Sequence, residues 1–223
     1  ATLKLYGFHI SPYSNLVEAT CKYLGVEYEF VETHPLIDTK KEDYLALNPY
    51  GLVPTITHGD FVLYESIAIA RYVAKISGDK EFYPHEDFQQ AAKVDSLIDY
   101  EVGTFRKAGI TYNNEAFYAP LFKGVDRPNE ERMAELQKDL DDSFGLIAAI
   151  LKRNGGPYLA GDKLTLVDFT VFFANQHQLQ LAGAKYDAHP EFAEWYDRIS
   201  EIPAVAEVLT NLKTKFAEFT GKK

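Results

Sequence analysis

The opening 33 residues constrain this chain most, because two stretches that alternate with period two flank a single helical run. Thr2 to Tyr6 is short and alternates apolar with polar, and Gly7 leads into a loop ending at Ser11-Pro12. That dipeptide starts a helix: serine is a favoured N-cap, and proline suits the first helical position, where its missing N–H would have had no partner. Leu16, Val17, Cys21 and Leu24 then recur at helical spacing until Gly25 stops the run. Val26 to Thr33 alternates again and reads as a second strand. A strand, helix, strand unit of this length places its strands parallel, with a right-handed crossover.

A polar stretch with Lys40 and Lys41 follows, then a short helix over Glu42 to Leu47 and a turn at Asn48-Pro49-Tyr50-Gly51. Thr55 to His58 and Phe61 to Tyr64 form a hairpin about Gly59-Asp60. Glu65-Ser66 opens a helix through Ile67, Ile69, Tyr72 and Val73. The order βαβ-α-ββ-α is that of a thioredoxin-like α/β domain, here over residues 1–77.

Residues 77–86 are polar, with Gly78 and Pro84, and suit a linker. From 88 to 223 every periodic segment is helical, which predicts an all-α C-terminal domain. The expected helices cover Phe88–Ile110, Glu131–Leu151, Val167–Leu181, Phe192–Ile199 and Ala204–Phe219, before a basic tail, Gly221-Lys222-Lys223. Thr165-Leu166-Val167-Asp168 reads as a capping box with aspartate in the usual glutamate position.

Thirty-three acidic against 23 basic residues leave a net charge of -10, which repels nucleic acid and anionic membranes but leaves room for a local cation to bind one small anion. The single cysteine, Cys21, excludes an intrachain disulfide and a cysteine-built metal cluster, and the six histidines show no ligand spacing, so no metal is expected. Cys21 lies mid-helix and reads as a small buried hydrophobe. The first residues form a strand rather than a signal sequence, and no window is long and apolar enough to span a membrane, so a cytoplasmic protein is expected.

Ser11-Pro12-Tyr13-Ser14 has the form of a redox Cys-x-x-Cys turn with oxygen in place of both sulfurs. By itself Ser11 is a helix cap. At the N-terminus of a helix, however, the dipole that stabilises a protein thiolate can stabilise the thiolate of a bound ligand. A free thiol has a pKa of about 8.5, and each unit of lowering corresponds to about 1.4 kcal/mol. One hydrogen bond from a hydroxyl to the charged sulfur, about 1.5 to 3 kcal/mol, supplies a shift of that order.

The segments LKLYGFHISPYS, LNPYGLVPTI, LYESIAIARYVA and YLAGDKLTLVDFTV, spread over most of the chain, resemble the cytosolic glutathione transferases and are most similar to their serine-dependent, phi-like classes. The resemblance implies that glutathione is the co-substrate and that Ser11, four residues after the glycine of the first strand, donates to its sulfur. Ser14 is kept as a backup donor. It further implies a cis Val53-Pro54 bond whose Val53 backbone pairs with the cysteinyl part of glutathione. Ser66 would bind the γ-glutamyl carboxylate at a helix N-terminus, Glu65 the α-amino group, and Lys40 the glycyl carboxylate.

Thr39 and Leu52 stand where the family pattern has histidine and glutamine, which predicts weaker glutathione binding, and Ile67 replaces an arginine. Phe8, His9, Tyr112 and Tyr118 are assigned by resemblance to a hydrophobic co-substrate pocket formed with the helical domain. A homodimer is implied, with Tyr50 as the residue inserted into the partner. The expected reaction is attack of the glutathione thiolate on an apolar electrophile, a detoxification chemistry without metal. Two alternatives stay open: a glutathione-dependent peroxidase, isomerase or ligand carrier, and a non-catalytic interaction module.

Overall fold

The computed structural model of the chain describes residues 1–221, so the Lys222-Lys223 tail lies outside the described residues. These residues divide into two compact units, 1–85 together with 200–221, and 86–199.

The first unit is built on a four-stranded sheet in the order β2-β1-β3-β4, comprising β1 (Leu3–Gly7), β2 (Tyr28–Glu32), β3 (Thr55–His58) and β4 (Phe61–Tyr64). β1 pairs parallel with β2 across helix α1 (Pro12–Tyr23) and antiparallel with β3, which turns tightly into β4. The short helix α2 (Glu42–Leu47) precedes β3, and α3 (Ser66–Ser77) follows β4. Leu3, Leu5, Val17, Cys21, Ile56, Ile69 and Val73 close the core between sheet, α1 and α3. Cys21 is fully buried there and burial pushes its thiol up to about 12, so it packs as a hydrophobe.

β2 begins two residues later than the alternation of Val26 to Thr33 suggests, because the Val26 N–H turns back to the Cys21 carbonyl (2.9 Å) and closes α1. Gly7 allows α1 to settle close to the sheet, since a Cβ there would lie 3.0 Å from the Phe30 ring and 3.2 Å from Ser14 Cβ.

The second unit is helical: α4 (Phe88–Tyr100), α5 (Arg106–Asn113), α6 (Ala119–Lys123), α7 (Glu130–Asn154), α8 (Leu166–Ala174), α9 (Gln176–Gln180) and α10 (Pro190–Ser200). The unbroken helix expected over Phe88–Ile110 contains a π-helical turn at Glu101–Phe105. Glu101 is wholly buried and its carboxylate holds Arg106 in two hydrogen bonds, 2.9 and 2.6 Å. A pair five residues apart is poorly aligned on an α-helix and suits the wider π turn. A second π turn spans Asn114–Tyr118. The expected helix Val167–Leu181 breaks at Asn175, whose side-chain amide donates to the Val171 carbonyl (2.8 Å) and caps α8.

The capping box holds a larger network than the sequence suggests. Asp168 is fully buried; it accepts from the Thr165 N–H (2.9 Å), the Leu159 N–H (2.8 Å) and Trp195 Nε1 (2.9 Å). Burial raises its carboxyl to about 6, against the downward pull of these donors. Around it Phe144 stacks on Phe192 (4.3 Å) and Phe172 on Tyr196 (4.4 Å).

The final helix α11 (Pro203–Thr220) belongs with the first unit, whereas the sequence reading assigned all of 88–223 to the helical domain. It packs against α1, and Lys22 on α1 binds Glu207 on α11 at 2.8 Å.

Replacing Asp168 by alanine strands three buried donors, so Asp168→Ala is expected to lower unfolding free energy by about 3 to 5 kcal/mol in urea denaturation. A loss under about 1 kcal/mol would show that the donors find other partners.

Candidate functional site

The sheet register gathers the separated motifs. Gly7 at the end of β1 pairs with Glu32 of β2, and on its other side Tyr6 pairs with Thr55, the first residue of β3, which pairs with Tyr64, the last of β4. The loop carrying Ser11, the Val53-Pro54 segment and the Glu65-Ser66 helix start therefore all leave one end of the sheet, on three adjacent strands spaced by about 4.8 Å. β1 is also where the chain switches sides, with β2 on one flank and β3 on the other. Ligands of open α/β sheets bind outside the strand ends at such a switch point.

Ser11 caps α1, and its Oγ accepts weakly from the Ser14 N–H at 3.4 Å. It is partly exposed, so the hydroxyl proton is free to point outward from a 12-residue helix whose positive end faces the same way. Ser14, by contrast, is fully buried and its Oγ accepts the Phe8 N–H at 3.1 Å. Its oxygen ties the loop down, and its burial sets it apart from the partly exposed Ser11.

Lys40 is exposed and donates to the Gly51 carbonyl at 2.9 Å, leaving two further N–H donors. Gly51, at φ +58, lets this loop close, because a Cβ would lie 2.9 Å from the Thr39 carbonyl. Thr39 is buried with its hydroxyl on the Pro35 carbonyl (2.6 Å), and Leu52 is exposed. Lys41 pairs instead with Asp38 (2.6 Å).

The Val53-Pro54 bond is cis. Glu65 is exposed at the N-cap of α3 with φ +73 and ψ 110, the one non-glycine residue at positive φ among the described residues; Ser66 behind it is buried. Such a conformation costs on the order of 1–3 kcal/mol and collects at functional sites.

Phe8 packs at a tilt against His34 (5.2 Å) and edge-on against Phe219 of α11 (6.4 Å). His9 lies over the Phe30 ring (3.9 Å), with Nδ1 bonded to the Glu32 carboxylate. Phe219 escapes local pattern reading because it joins the site through a long-range helix contact. Tyr112 and Tyr118 lie in the second unit. Tyr112 is buried, which raises its hydroxyl and makes it core, not pocket lining. Tyr118 is half-buried and its hydroxyl bonds Nδ1 of the buried His177, a partner the sequence does not single out.

Among the described residues, no cluster of three or more His, Cys, Asp or Glu side chains could hold a metal ion, and no helix is long and apolar enough to cross a membrane.

A thioredoxin-like unit with a hydroxyl at its helix start, joined to a helical unit, defines a class of thiol-handling protein. Known proteins narrow that class. Residues 5–81 match the glutathione S-transferase N-terminal domain and residues 114–211 the C-terminal domain. Glutathione S-transferase hmp2 of Hypomyces subiculosus is 31% identical, over 92% of this chain and 98% of its own. Glutathione S-transferase 3 of Zea mays is 34% identical over 92% of this chain and 91% of its own. The structure of glutathione S-transferase I from maize, in complex with an atrazine glutathione conjugate, superposes with a TM-score of 0.84 at 26% identity, covering 96% of this chain and 99% of that one. The chain belongs to the glutathione S-transferase family, and with it to the enzymes.

If Glu65 is strained by its side chain, Glu65→Gly should be more stable than Glu65→Ala by about 1 kcal/mol in chemical denaturation, the relief of positive φ exceeding the entropy cost of glycine. Equal stabilities would count against strain at this residue.

Proposed function

We propose that this chain is a cytoplasmic enzyme that conjugates the glutathione thiolate to apolar electrophiles, with Ser11 as the hydroxyl that stabilises the sulfur. The observation that carries this reading is the partly exposed Ser11 at the N-cap of α1, in a protein whose single cysteine is buried and unreactive. An oxygen at this position cannot exchange disulfides, but it can donate to a ligand's sulfur while the helix dipole favours the negative charge. The structure of the maize relative holds an atrazine glutathione conjugate, a compound in which the glutathione sulfur is joined to an apolar partner, in keeping with this chemistry.

Glutathione would lie along the sheet end, its cysteinyl backbone against Val53, its γ-glutamyl carboxylate on Ser66 at the start of α3, its ammonium on Glu65 and its glycyl carboxylate on Lys40. The two helix N-termini then flank one anionic ligand. Buried Thr39 and apolar Leu52 add no polar contact from their side chains, in line with weaker binding than a full-motif member would show. Phe8 and Phe219 offer the electrophile an apolar wall in the first unit. The enzyme's contribution is a lowered thiol pKa and a fixed line of approach.

The same reading includes a homodimer. Tyr50 is 65% exposed, held in its turn by its N–H on Asn48 Oδ1 (3.0 Å) and by Tyr64, edge-on at 5.5 Å. In the second unit a groove of about 550 Å³ between α4 and α7 is lined by Leu97, Tyr100, Leu146, Ala149 and Ile150 together with Ser96 and Arg153. This groove of a partner subunit would receive the Tyr50 ring, with Arg153 placed to meet its face.

Conjugation of glutathione to an aryl halide is expected for the wild type, and Ser11→Ala should lower kcat/KM by roughly 10- to 100-fold, the loss of one charge-assisted hydrogen bond. Unchanged kcat/KM would remove Ser11 from catalysis, and no retention on immobilised glutathione would overturn the transferase reading itself. Sedimentation equilibrium should give a dimer for the wild type and a shift toward monomer for Tyr50→Ala. A monomeric wild type, or a Tyr50→Ala dimer of unchanged strength, would overturn the inserted-tyrosine interface.

A further inference from the structure

The loop after β2 runs beside the loop that carries Ser11. Gly7 of β1 pairs with Glu32 of β2, and the contact continues one step further, with the Thr33 N–H on the Gly7 carbonyl at 2.7 Å. Phe8 and His34 are the next residues along the two chains, and their ring centroids lie 5.2 Å apart. The Phe8 carbonyl accepts the Ser11 N–H at 2.7 Å. Direct contacts therefore join the His34 imidazole to the backbone that presents the Ser11 hydroxyl.

Phe219 of α11 completes a cluster of rings, 6.4 Å from Phe8 and 6.5 Å from His34. All three residues belong to the first unit, and all reach solvent: Phe219 is 43% exposed, and Phe8 and His34 are half-buried. Phe8 and Phe219 stand at 81° to each other, a corner that offers a flat aromatic ring a face on one side and an edge on the other.

His34 is the polar member of the cluster, and its ring is held in one state. The Leu36 N–H donates to Nδ1 at 3.2 Å, so Nδ1 keeps its lone pair and the proton of the neutral imidazole sits on Nε2. The backbone is fixed as well. The His34 N–H donates to Asp38 Oδ2 at 2.9 Å, and the His34 carbonyl accepts from Ile37 (3.2 Å) and Asp38 (2.9 Å). Nε2, at the far edge of the ring from this turn, donates to no group among the described residues. An aromatic wall thus carries one positioned N–H donor that the protein itself does not use.

We propose that His34 Nε2–H hydrogen-bonds the carbonyl oxygen of the electrophile and stabilises the negative charge that forms there, so that the enzyme favours aryl-substituted α,β-unsaturated carbonyl compounds. The proposal rests on the transferase reading. The thiolate sulfur gives an electron pair to the β-carbon as the C–S bond forms, and the C=C π pair shifts so that the carbonyl oxygen takes the negative charge of an enolate. Nε2–H donates to that oxygen and keeps its proton throughout, so the imidazole stays neutral in the same tautomer. Water then protonates the α-carbon, and the hydroxide left behind neutralises the proton that glutathione released on ionising. The aryl group lies in the corner between Phe8 and Phe219. A hydrogen bond that strengthens as the oxygen becomes charged favours the transition state over the bound substrate, so it acts on kcat.

The test compares benzylideneacetone, an aryl enone, with benzyl chloride, which has the aryl ring and no oxygen acceptor. His34→Phe keeps a ring and removes the donor; the ratio of kcat/KM for the enone to that for benzyl chloride is expected to fall by about tenfold, chiefly through kcat. His34→Gln, whose side-chain amide carries an N–H to about the place of Nε2, should recover most of that ratio, which a purely steric role for His34 would not show. A His34→Phe ratio within about twofold of wild type overturns the proposal, as does a fall that His34→Gln leaves uncorrected. If His34→Phe does not fold, His34→Leu is judged by the same ratio. A wild type that conjugates benzyl chloride but not the enone overturns the proposal and leaves the transferase reading standing. A wild type that conjugates neither sinks that reading, and the proposal with it.

Discussion

The hydrogen bond from the Phe8 N–H to Ser14 Oγ anchors the rest of the candidate site. It ties the loop after β1 to the first turn of α1, with Gly7 allowing the helix to approach the sheet closely enough for the bond to form. Ser11 lies inside this closed loop, its N–H on the Phe8 carbonyl at 2.7 Å, so its hydroxyl is presented by backbone that is fixed at both ends. A hydroxyl that supplies one hydrogen bond to a thiolate needs that rigidity, since a misplacement of an ångström would forfeit most of its effect.

The resemblance between Ser11 and Ser14 in the sequence hides a division of labour. Both are hydroxyls in a turn of redox-motif form, yet one is partly exposed and the other fully buried. Single-sequence patterns report residue type and spacing, and burial on one side of a helix depends on what packs there. The helix starts, the hairpin and the order of strands were legible because caps, prolines and period-two alternation act locally. The grouping of Val53-Pro54, Glu65-Ser66 and Ser11 at one sheet end follows from strand order, which the βαβ-α-ββ-α pattern already implied.

Other features depend on contacts between distant residues and left no local trace. The π turn at Glu101–Phe105 accompanies a buried carboxylate holding an arginine, and a helical periodicity reads straight through it. Tyr112 was assigned to the pocket by resemblance and is buried. The positive φ of Glu65 has no sequence signature, because glutamate is a poor choice for that conformation and is kept there against its backbone preference. The same holds for Phe219, which reaches Phe8 only because α11 returns to the first unit.

That return has a consequence for how the protein is made. The first unit is assembled from both ends of the described chain, with the whole of residues 86–199 inserted between its parts. During synthesis the sheet, α1 and α3 leave the ribosome first, but α1 keeps an uncovered flank until about 120 further residues have followed and α11 can dock. The inserted helical unit meanwhile has all of its own core on the nascent chain, including Asp168 and Trp195. Vectorial folding would thus complete the later-made unit before the earlier one, whose core is closed by its last helix.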